Sequence, residues 1–179
     1  DNFASIVNAI EEGRAVSTNI KRFVTYILAS NIPEVTPFLA FVILKVPLPL
    51  TVMQILAVDL GTDLVPALAL GTENPEPGIM EKPPRSRDDR LLSWGLFSRA
   101  YGYLGMVEGI LCLVGFFLVY YLNGWTLSSG VSGLLAITPE PYEQLPIYLM
   151  ATTACFTTIV ATQIGNGFAC RTERESIFK

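Results

Sequence analysis

The sequence predicts an all-α fold, namely a polytopic bundle of four transmembrane helices that begins with a cytoplasmic helical stalk. Apolar residues make up 51% of the 179 residues and charged residues only 16%, well below the roughly 25% that is usual in soluble domains. The mean hydropathy of +0.45 agrees with this composition. A membrane-spanning helix needs about 20 largely apolar residues, and four stretches of the chain meet that requirement.

The first element is a polar, amphipathic segment, residues 1–22, which we expect to be a cytoplasmic stalk helix. No turn signal separates this segment from the apolar run that follows it. We therefore predict one long helix over residues 1–44, bent near Pro33 and Pro37, because proline disturbs the hydrogen bonds of a helix.

The four spans together form a predicted transport domain, residues 23–169, which is followed by a short cytoplasmic segment, residues 170–179. Trp94 and Trp125 flank the third span, a position typical of the interfacial aromatic belt. The predicted spans are 23–44, 50–70, 97–122 and 145–169, and the connections are a Pro-rich turn at 45–49, a polar loop at 71–93 and a Gly/Ser-rich loop at 123–144.

Basic residues predict how the chain is oriented in the membrane. They cluster before the first span, between spans two and three, and after span four, whereas the opposite side carries only Lys45. Under the positive-inside rule the basic side is cytoplasmic. We therefore expect a multi-pass protein of the cell membrane with residues 1–22, 71–93 and 170–179 in the cytoplasm.

Composition excludes several function classes. The absence of histidine rules out imidazole metal sites and Ser-His triads, and a net charge of −4 without a basic stripe argues against nucleic acid. The three cysteines (Cys112, Cys155 and Cys170) lie far apart in or beside apolar runs, which favours packing over zinc binding or disulfides.

Carboxylates inside the first two spans are the strongest functional signal. Glu34 lies in the middle of span one, and Asp59 and Asp63 lie in the middle of span two, with no Lys or Arg at the same depth. Ionisable groups inside a membrane are costly and usually mark ion paths or proton relays. We expect the three acids to converge on one pocket with Asn31 and Thr62, holding cations when loaded and at least one proton when empty.

Helix-disturbing residues surround these acids. Pro33 and Pro37 free the carbonyl groups of Ala29 and Pro33, and oxygen atoms are the ligands that Na⁺, K⁺ and Ca²⁺ prefer. Gly61 separates Asp59 from Asp63, so we expect the second helix to unwind there, as helices do around midplane ion sites in transporters.

Span three carries two weaker signals. Glu108 is a lone acid that we expect to snorkel or to be hydrogen-bonded outside the pocket. Gly102, Gly105 and Gly109 follow helical spacing and predict a face where another helix packs closely.

These motifs resemble those of the type II P-type cation-transporting ATPases, the family of the Na⁺,K⁺-ATPase and the Ca²⁺ pumps. The resemblance covers most of the chain and implies that the four spans are helices five to eight of ten. The matching segments are Asp1–Val7 with Glu11–Arg14, Ser30–Glu34, Asp59–Asp63 with Val65–Ala67, Ile79–Arg85, and Arg171–Thr172 with Ser176–Phe178.

The resemblance implies a role for several individual residues. Asn31, Glu34, Asp59, Thr62 and Asp63 match positions that coordinate transported cations, and Gln163 matches a ligand of the eighth helix in several members. Tyr26 and Ser30 match positions near the sodium and potassium sites. The motif Asn31–Glu34 and Asp59 resemble the Na⁺,K⁺ branch. Asn166, however, stands where that branch has an Asp, and the Pro83-Pro84-Arg85 loop resembles the Ca²⁺ pumps, so the transported ion is left open between monovalent and divalent cations.

The resemblance also implies partners that lie outside this sequence. They are helices one to four and the phosphorylation, nucleotide and actuator domains of the same polypeptide, together with membrane lipid, while an accessory subunit is left open. ATP and Mg²⁺ belong to those domains. No catalytic residue is identified in the sequence, which looks like a piece of a longer chain, and we expect this segment alone not to hydrolyse ATP.

The implied function is transport by alternating access, in which phosphorylation elsewhere tilts the first span through its stalk. Two other readings stay open from the residues alone. One is a secondary cation transporter or channel that uses the same acids without an ATPase. The other is a membrane scaffold without transport.

Overall fold

The computed structural model describes residues 3–81, 83–84 and 91–171. The described residues form helices and turns without strands. The basic residues Lys82, Arg85, Arg87 and Arg90 and the segment after Arg171 lie outside the described residues, as do Asp1 and Asn2.

Four helices are long and apolar enough to cross a membrane, which confirms the predicted span count. The bounds of these helices lie within a few residues of the predicted spans. The first helix is longer than its span because it also contains the stalk. The helices are α1 (Phe3–Leu44), α2 (Val52–Gly71), α3 (Trp94–Leu122), the short α4 (Gly130–Ile137) and α5 (Pro146–Arg171).

Helix α1 runs without interruption from the stalk through the first span, as the sequence predicted. Pro33 and Pro37 both lie inside it and are buried. Helix α2 starts at Thr51, whose side chain and that of Gln54 form a reciprocal capping box. This cap supplies partners for backbone N–H groups that would otherwise lack them at the helix start.

The helices pack through close contacts at glycine. A Cβ atom on Gly105 would lie 2.6 Å from Ile32 Cγ1 of α1, and one on Gly109 would lie 2.6 Å from Thr36 Oγ1. Gly115, which lies beyond the predicted glycine face, meets Thr158 of α5 in the same way. Gly102 contacts only its own helix, so the glycine face begins at Gly105.

Polar contacts join the stalk, the loop after α2 and the end of α5 at one end of the bundle, here called the stalk end. Asn19 Nδ2 donates to the carbonyl of Glu73 at 2.6 Å, and Arg22 pairs with Glu76. Arg171 pairs with Glu73 at 2.8 Å. The basic residues Arg22 of the stalk and Arg171 of α5 therefore lie at the same end of the bundle. An even number of spans requires this arrangement.

The opposite end is more ordered than a Gly/Ser-rich loop suggests. The segment after α3 forms α4, and Leu134 of that helix is fully buried against the core. Trp125 stacks on Phe117, with ring centroids 5.5 Å apart, and is 9% exposed. Trp125 therefore packs in the core, whereas Trp94 is 89% exposed, as expected for an interfacial residue.

The main core lies between α3 and α5. Phe116 and Tyr120 of α3 pack with Cys155 and Ile159 of α5 in one buried cluster. The three cysteines are free and buried, in agreement with their predicted packing role.

Candidate cation-binding site

The structure brings together the three acids of the first two spans. One carboxylate oxygen from each of Glu34, Asp59 and Asp63 lies within 4.8 Å of the others. Asp63 is buried, Glu34 is half-buried, and Asp59 lies on the exposed side of the group. Oxygen ligands at this separation can share one hard cation, which is the chemistry that the sequence predicted.

The backbone of α2 widens where the two aspartates lie. Residues Asp59–Asp63 form a π-helical turn, so the predicted unwinding around Gly61 takes the form of a wider turn rather than a break. Such turns leave the normal hydrogen-bond ladder and occur often at functional sites. The turn carries Asp59 and Asp63 toward Glu34 of α1.

Two hydrogen bonds from α1 hold this turn. Ser30 Oγ donates to Asp63 Oδ2 at 2.7 Å, and the hydroxyl of Tyr26 donates to the carbonyl oxygen of Thr62 at 2.7 Å. Ser30 and Tyr26 are four residues apart and fully buried. They therefore present one face of α1 to α2 and fix the orientation of Asp63, while its second oxygen, Oδ1, has no hydrogen-bond partner among the described residues.

Helix α5 completes the polar interior. The hydroxyl group of Thr62 donates a hydrogen bond to the side-chain oxygen of Gln163. The same hydroxyl oxygen lies 2.9 Å from the carbonyl oxygen of Val58. Gln163 is fully buried and Asn166, one turn further, is 5% exposed. Both predicted α5 residues therefore face the inside of the bundle.

Asn31 makes a local contact on its own helix. Its side chain is exposed and donates to the carbonyl of Ile27 at 2.8 Å. The predicted role of Asn31 as a cation ligand therefore stays a prediction. The competing interaction is local, because an Asn side chain in a helix can bond to the carbonyl one turn earlier.

The carbonyl groups freed by the two prolines contact α3. The oxygen of Ala29 lies against Gly105, where an added Cβ would be 2.9 Å away. The oxygen of Pro33 accepts a weak hydrogen bond from Cys112 Sγ at 3.8 Å. These carbonyls therefore serve helix packing rather than the three-carboxylate group.

The burial of Glu108 excludes one of the two arrangements that the sequence left open. Glu108 is 4% exposed, so it does not snorkel, and its carboxylate faces the side chain of Asn166. It lies outside the three-carboxylate group yet within electrostatic range of Asp63 and Asn166. Glu108 follows Gly105 by three residues, so the two share one face of the helix. In the sequence, this spacing was the indication that Glu108 faces a neighbouring helix.

Electrostatic repulsion makes the three-carboxylate group dependent on a counter-charge. Two unit charges no more than 4.8 Å apart repel by roughly 3 kcal/mol or more at an effective dielectric constant of about 20, and by less where Asp59 meets solvent. A bound cation removes this cost, as does a proton. The geometry thus suits a site that is occupied by a positive species at all times.

Comparison with known proteins shows the family of this chain. The family model described as "Cation transporting ATPase, C-terminus" matches residues 47–179. The chain is similar over its full length to the sodium/potassium-transporting ATPase subunits alpha-3 of Gallus gallus (39% identical), alpha-2 of Homo sapiens (40%) and alpha-4 of Rattus norvegicus (38%).

The chain spans only 19% of the length of each of these relatives. The family match covers most of the chain, and it includes the second, third and fourth spans described above. The chain therefore belongs to the cation-transporting ATPase family, of which it represents the C-terminal membrane region.

Proposed function

We propose that this chain is the cation-binding membrane part of an ATP-driven cation pump of the cell membrane. The convergence of Glu34, Asp59 and Asp63 carries the proposal. In it, these acids bind the transported cation, and Thr62 and Gln163 line the same interior. Tyr26 and Ser30 hold the π turn in place, and Asn31 joins the ligands when the chain changes conformation.

Helix α1 is the proposed route by which ATP hydrolysis reaches the site. Its 42 residues span about 60 Å at 1.5 Å per residue. Because the same unbroken helix carries the stalk and Glu34, a tilt of the stalk moves Glu34 relative to the aspartates of α2. That movement would change the affinity for the cation, as alternating access requires.

The proposal assigns the phosphorylation chemistry, with ATP and Mg²⁺, to other parts of the pump polypeptide. Those parts would act on the stalk end. There residues 1–22, 71–93 and 170–179 are proposed to face the cytoplasm, in accord with their basic residues. The ion transported is proposed only as a cation that oxygen ligands bind, either monovalent or divalent.

The test is cation-dependent ATP hydrolysis by the full-length pump, purified and titrated separately with Na⁺, K⁺ and Ca²⁺. Asp63→Asn keeps the shape of the side chain and removes one charge, so it should weaken activation by the transported cation at least about tenfold. The matched control is Glu143→Gln, which neutralises an exposed acid between α4 and α5.

Two results would count against the proposal. One is ATP hydrolysis that no cation activates in the unmodified pump. The other is an equal effect of Asp63→Asn and Glu143→Gln on cation activation. Glu143 is exposed and lies outside the spans, so an equal effect would show that the loss does not come from the cation site.

A further inference from the structure

A cavity at the stalk end lies apart from the cation site. It encloses about 390 Å³, a volume in the range of pockets that bind small molecules. Its walls come from the stalk part of α1, the loop after α2, the start of α3 and the end of α5. The described residues that line it include none of those assigned to the cation site.

The charged residues of the cavity wall are mostly basic. Lys21, Arg22 and Arg99 line the cavity, and Glu76 is the one acid among the lining residues that the structure describes. Glu76 pairs with Arg22. A lysine carries three N–H donors and an arginine five, so a partner elsewhere does not use up either side chain. The wall is therefore suited to an anion with several oxygen atoms.

Arg22 provides the observation that points to a ligand. It is 6% exposed, and two of its nitrogen atoms are used, because Nη1 donates to Asn19 Oδ1 at 3.2 Å and Nη2 contacts Glu76. Its Nε atom is buried and has no hydrogen-bond partner in the part of the chain that the structure describes. A buried donor without an acceptor is costly. An oxygen atom bound in the cavity would supply the missing acceptor.

Ser93 adds a neutral donor from the start of α3. Its Oγ atom accepts the backbone N–H of Leu96 at 3.3 Å. A serine hydroxyl that accepts a hydrogen bond still has its own hydrogen to donate. The cavity therefore combines charged and neutral donors from two helices, as a phosphate group with several oxygen atoms requires.

The surroundings of the cavity are those of a membrane–water interface. Trp94, which follows the lining residue Ser93, is 89% exposed, as is typical of the interfacial aromatic belt. Leu91 and Leu96 line the cavity, and Leu92 is 50% exposed. A lipid can place its headgroup among the donors and its chains along these apolar side chains. A free anion would use only the polar part of this surface.

We propose that the cavity binds the headgroup phosphate of an anionic phospholipid from the cytoplasmic leaflet. The phosphate oxygens accept hydrogen bonds from Lys21, Arg22 Nε and Arg99, and the acyl chains lie outside the cavity. Basic pockets between transmembrane helices on the cytoplasmic side bind acidic headgroups in the same way. Because this lipid contacts the stalk and α3 together, it would also restrain the tilt of the stalk.

The experiment counts the lipids that the full-length pump retains. The purified pump is reconstituted into nanodiscs of phosphatidylcholine and phosphatidylserine with identical acyl chains, and is then extracted again in a neutral detergent. Mass spectrometry counts each lipid that stays bound. Phosphatidylserine should be retained in preference to phosphatidylcholine, and equal retention of the two lipids would overturn the inference.

Two arginines at the same end of the bundle form a matched pair of variants. Arg99→Gln removes a charge from the cavity wall, so it should lower the affinity for phosphatidylserine about fivefold, the effect of one basic residue on an acidic lipid. Arg171→Gln removes the same charge from a residue that does not line the cavity, so it should change the affinity less than about twofold. Equal losses would show general attraction to the membrane surface instead of a site.

A change of shape without a change of charge gives a second test. A Cβ atom on Gly95, which lines the cavity, would meet only Ser93 Oγ, at 3.8 Å. Gly95→Leu is therefore accommodated by the backbone, and it should reduce retention of phosphatidylserine by occupying space at the cavity wall. Gly102→Leu, on the same helix outside the cavity, should retain the wild-type amount. Equal retention by the two variants would refute the site.

Inorganic phosphate distinguishes a lipid headgroup from a free anion. In excess, it should raise the unfolding midpoint of the delipidated pump less than phosphatidylserine does, and it should not displace the bound lipid. Equal stabilisation together with displacement would show that the cavity binds a free anion, which contradicts the inference. Failure of the proposed function looks different, because cation-activated ATP hydrolysis would then be absent while phosphatidylserine is still retained.

Discussion

Ser30 of α1 donates a hydrogen bond of 2.7 Å to Asp63 of α2, and both residues are buried. The other oxygen of Asp63, Oδ1, is buried and has no partner in the part of the chain that the structure describes. The bond thus fixes the side chain in an orientation that leaves a free ligand atom. It also ties the helix that carries the stalk to the helix that carries two of the three clustered acids.

The first prediction concerns the second brace of the π turn. Tyr26→Phe removes the hydroxyl that bonds the carbonyl of Thr62, which should reduce stability by about 1 kcal/mol and lower the affinity for the activating cation. The control is Tyr121→Phe on α3, because that side chain is 60% exposed. Cation titrations of ATP hydrolysis and thermal unfolding measure the two effects, and equal behaviour of both variants would contradict the bracing role.

The second prediction concerns the glycine contacts of α3. Gly105→Ala would place a methyl group 2.6 Å from Ile32 Cγ1 and 2.9 Å from the oxygen of Ala29, and such overpacking costs about 1–3 kcal/mol. Gly102→Ala meets only Ser98 Oγ, at 3.8 Å, so it should stabilise slightly, because alanine favours helices. Unfolding midpoints of the purified full-length variants in detergent should move in opposite directions, and a common shift would rule out the close approach of α1 and α3.

The third prediction compares two ion pairs at the stalk end. Glu76→Gln leaves Arg22, which is 6% exposed, without its charged partner, so it should destabilise the pump by about 2 kcal/mol or more. Arg171→Gln breaks a pair in which the arginine is 54% exposed, and it should cost less than about 1 kcal/mol. Protease cleavage within residues 71–93 should rise only in the first variant, and comparable cleavage in both would show that the pairs are equivalent.

The fourth prediction concerns orientation in the membrane. Single cysteines at Glu81 and Ser128 lie in exposed turns at opposite ends of the bundle, and the native cysteines are buried. A membrane-impermeant thiol reagent should label Ser128→Cys in sealed cells and Glu81→Cys only after permeabilisation. Ser128 is preferred to Gly130, whose φ of 56° disfavours a side chain. The reverse labelling pattern would overturn the assignment of the stalk end to the cytoplasm.

Much of the fold and part of the site are predictable from the amino-acid sequence alone. The four spans follow from hydropathy, and the continuity of α1 follows from the lack of a turn signal between residues 15 and 25. Glu34, Asp59 and Asp63 stand out because charged residues are rare in apolar runs, and two neighbouring spans in a short hairpin must pack side by side. These properties depend only on local sequence, which is why composition and spacing reveal them.

Tertiary structure decided the remaining features, because each depends on how a helix is rotated about its own axis. Glu108 is buried because Gly105 and Gly109 let α3 approach α1, so the face that carries them turns inward. Asn31 lies on the outside of α1, although it is only three residues from Glu34. The sequence specifies which residues share a helix face. Which other helix covers that face depends on packing between segments that are distant in the sequence.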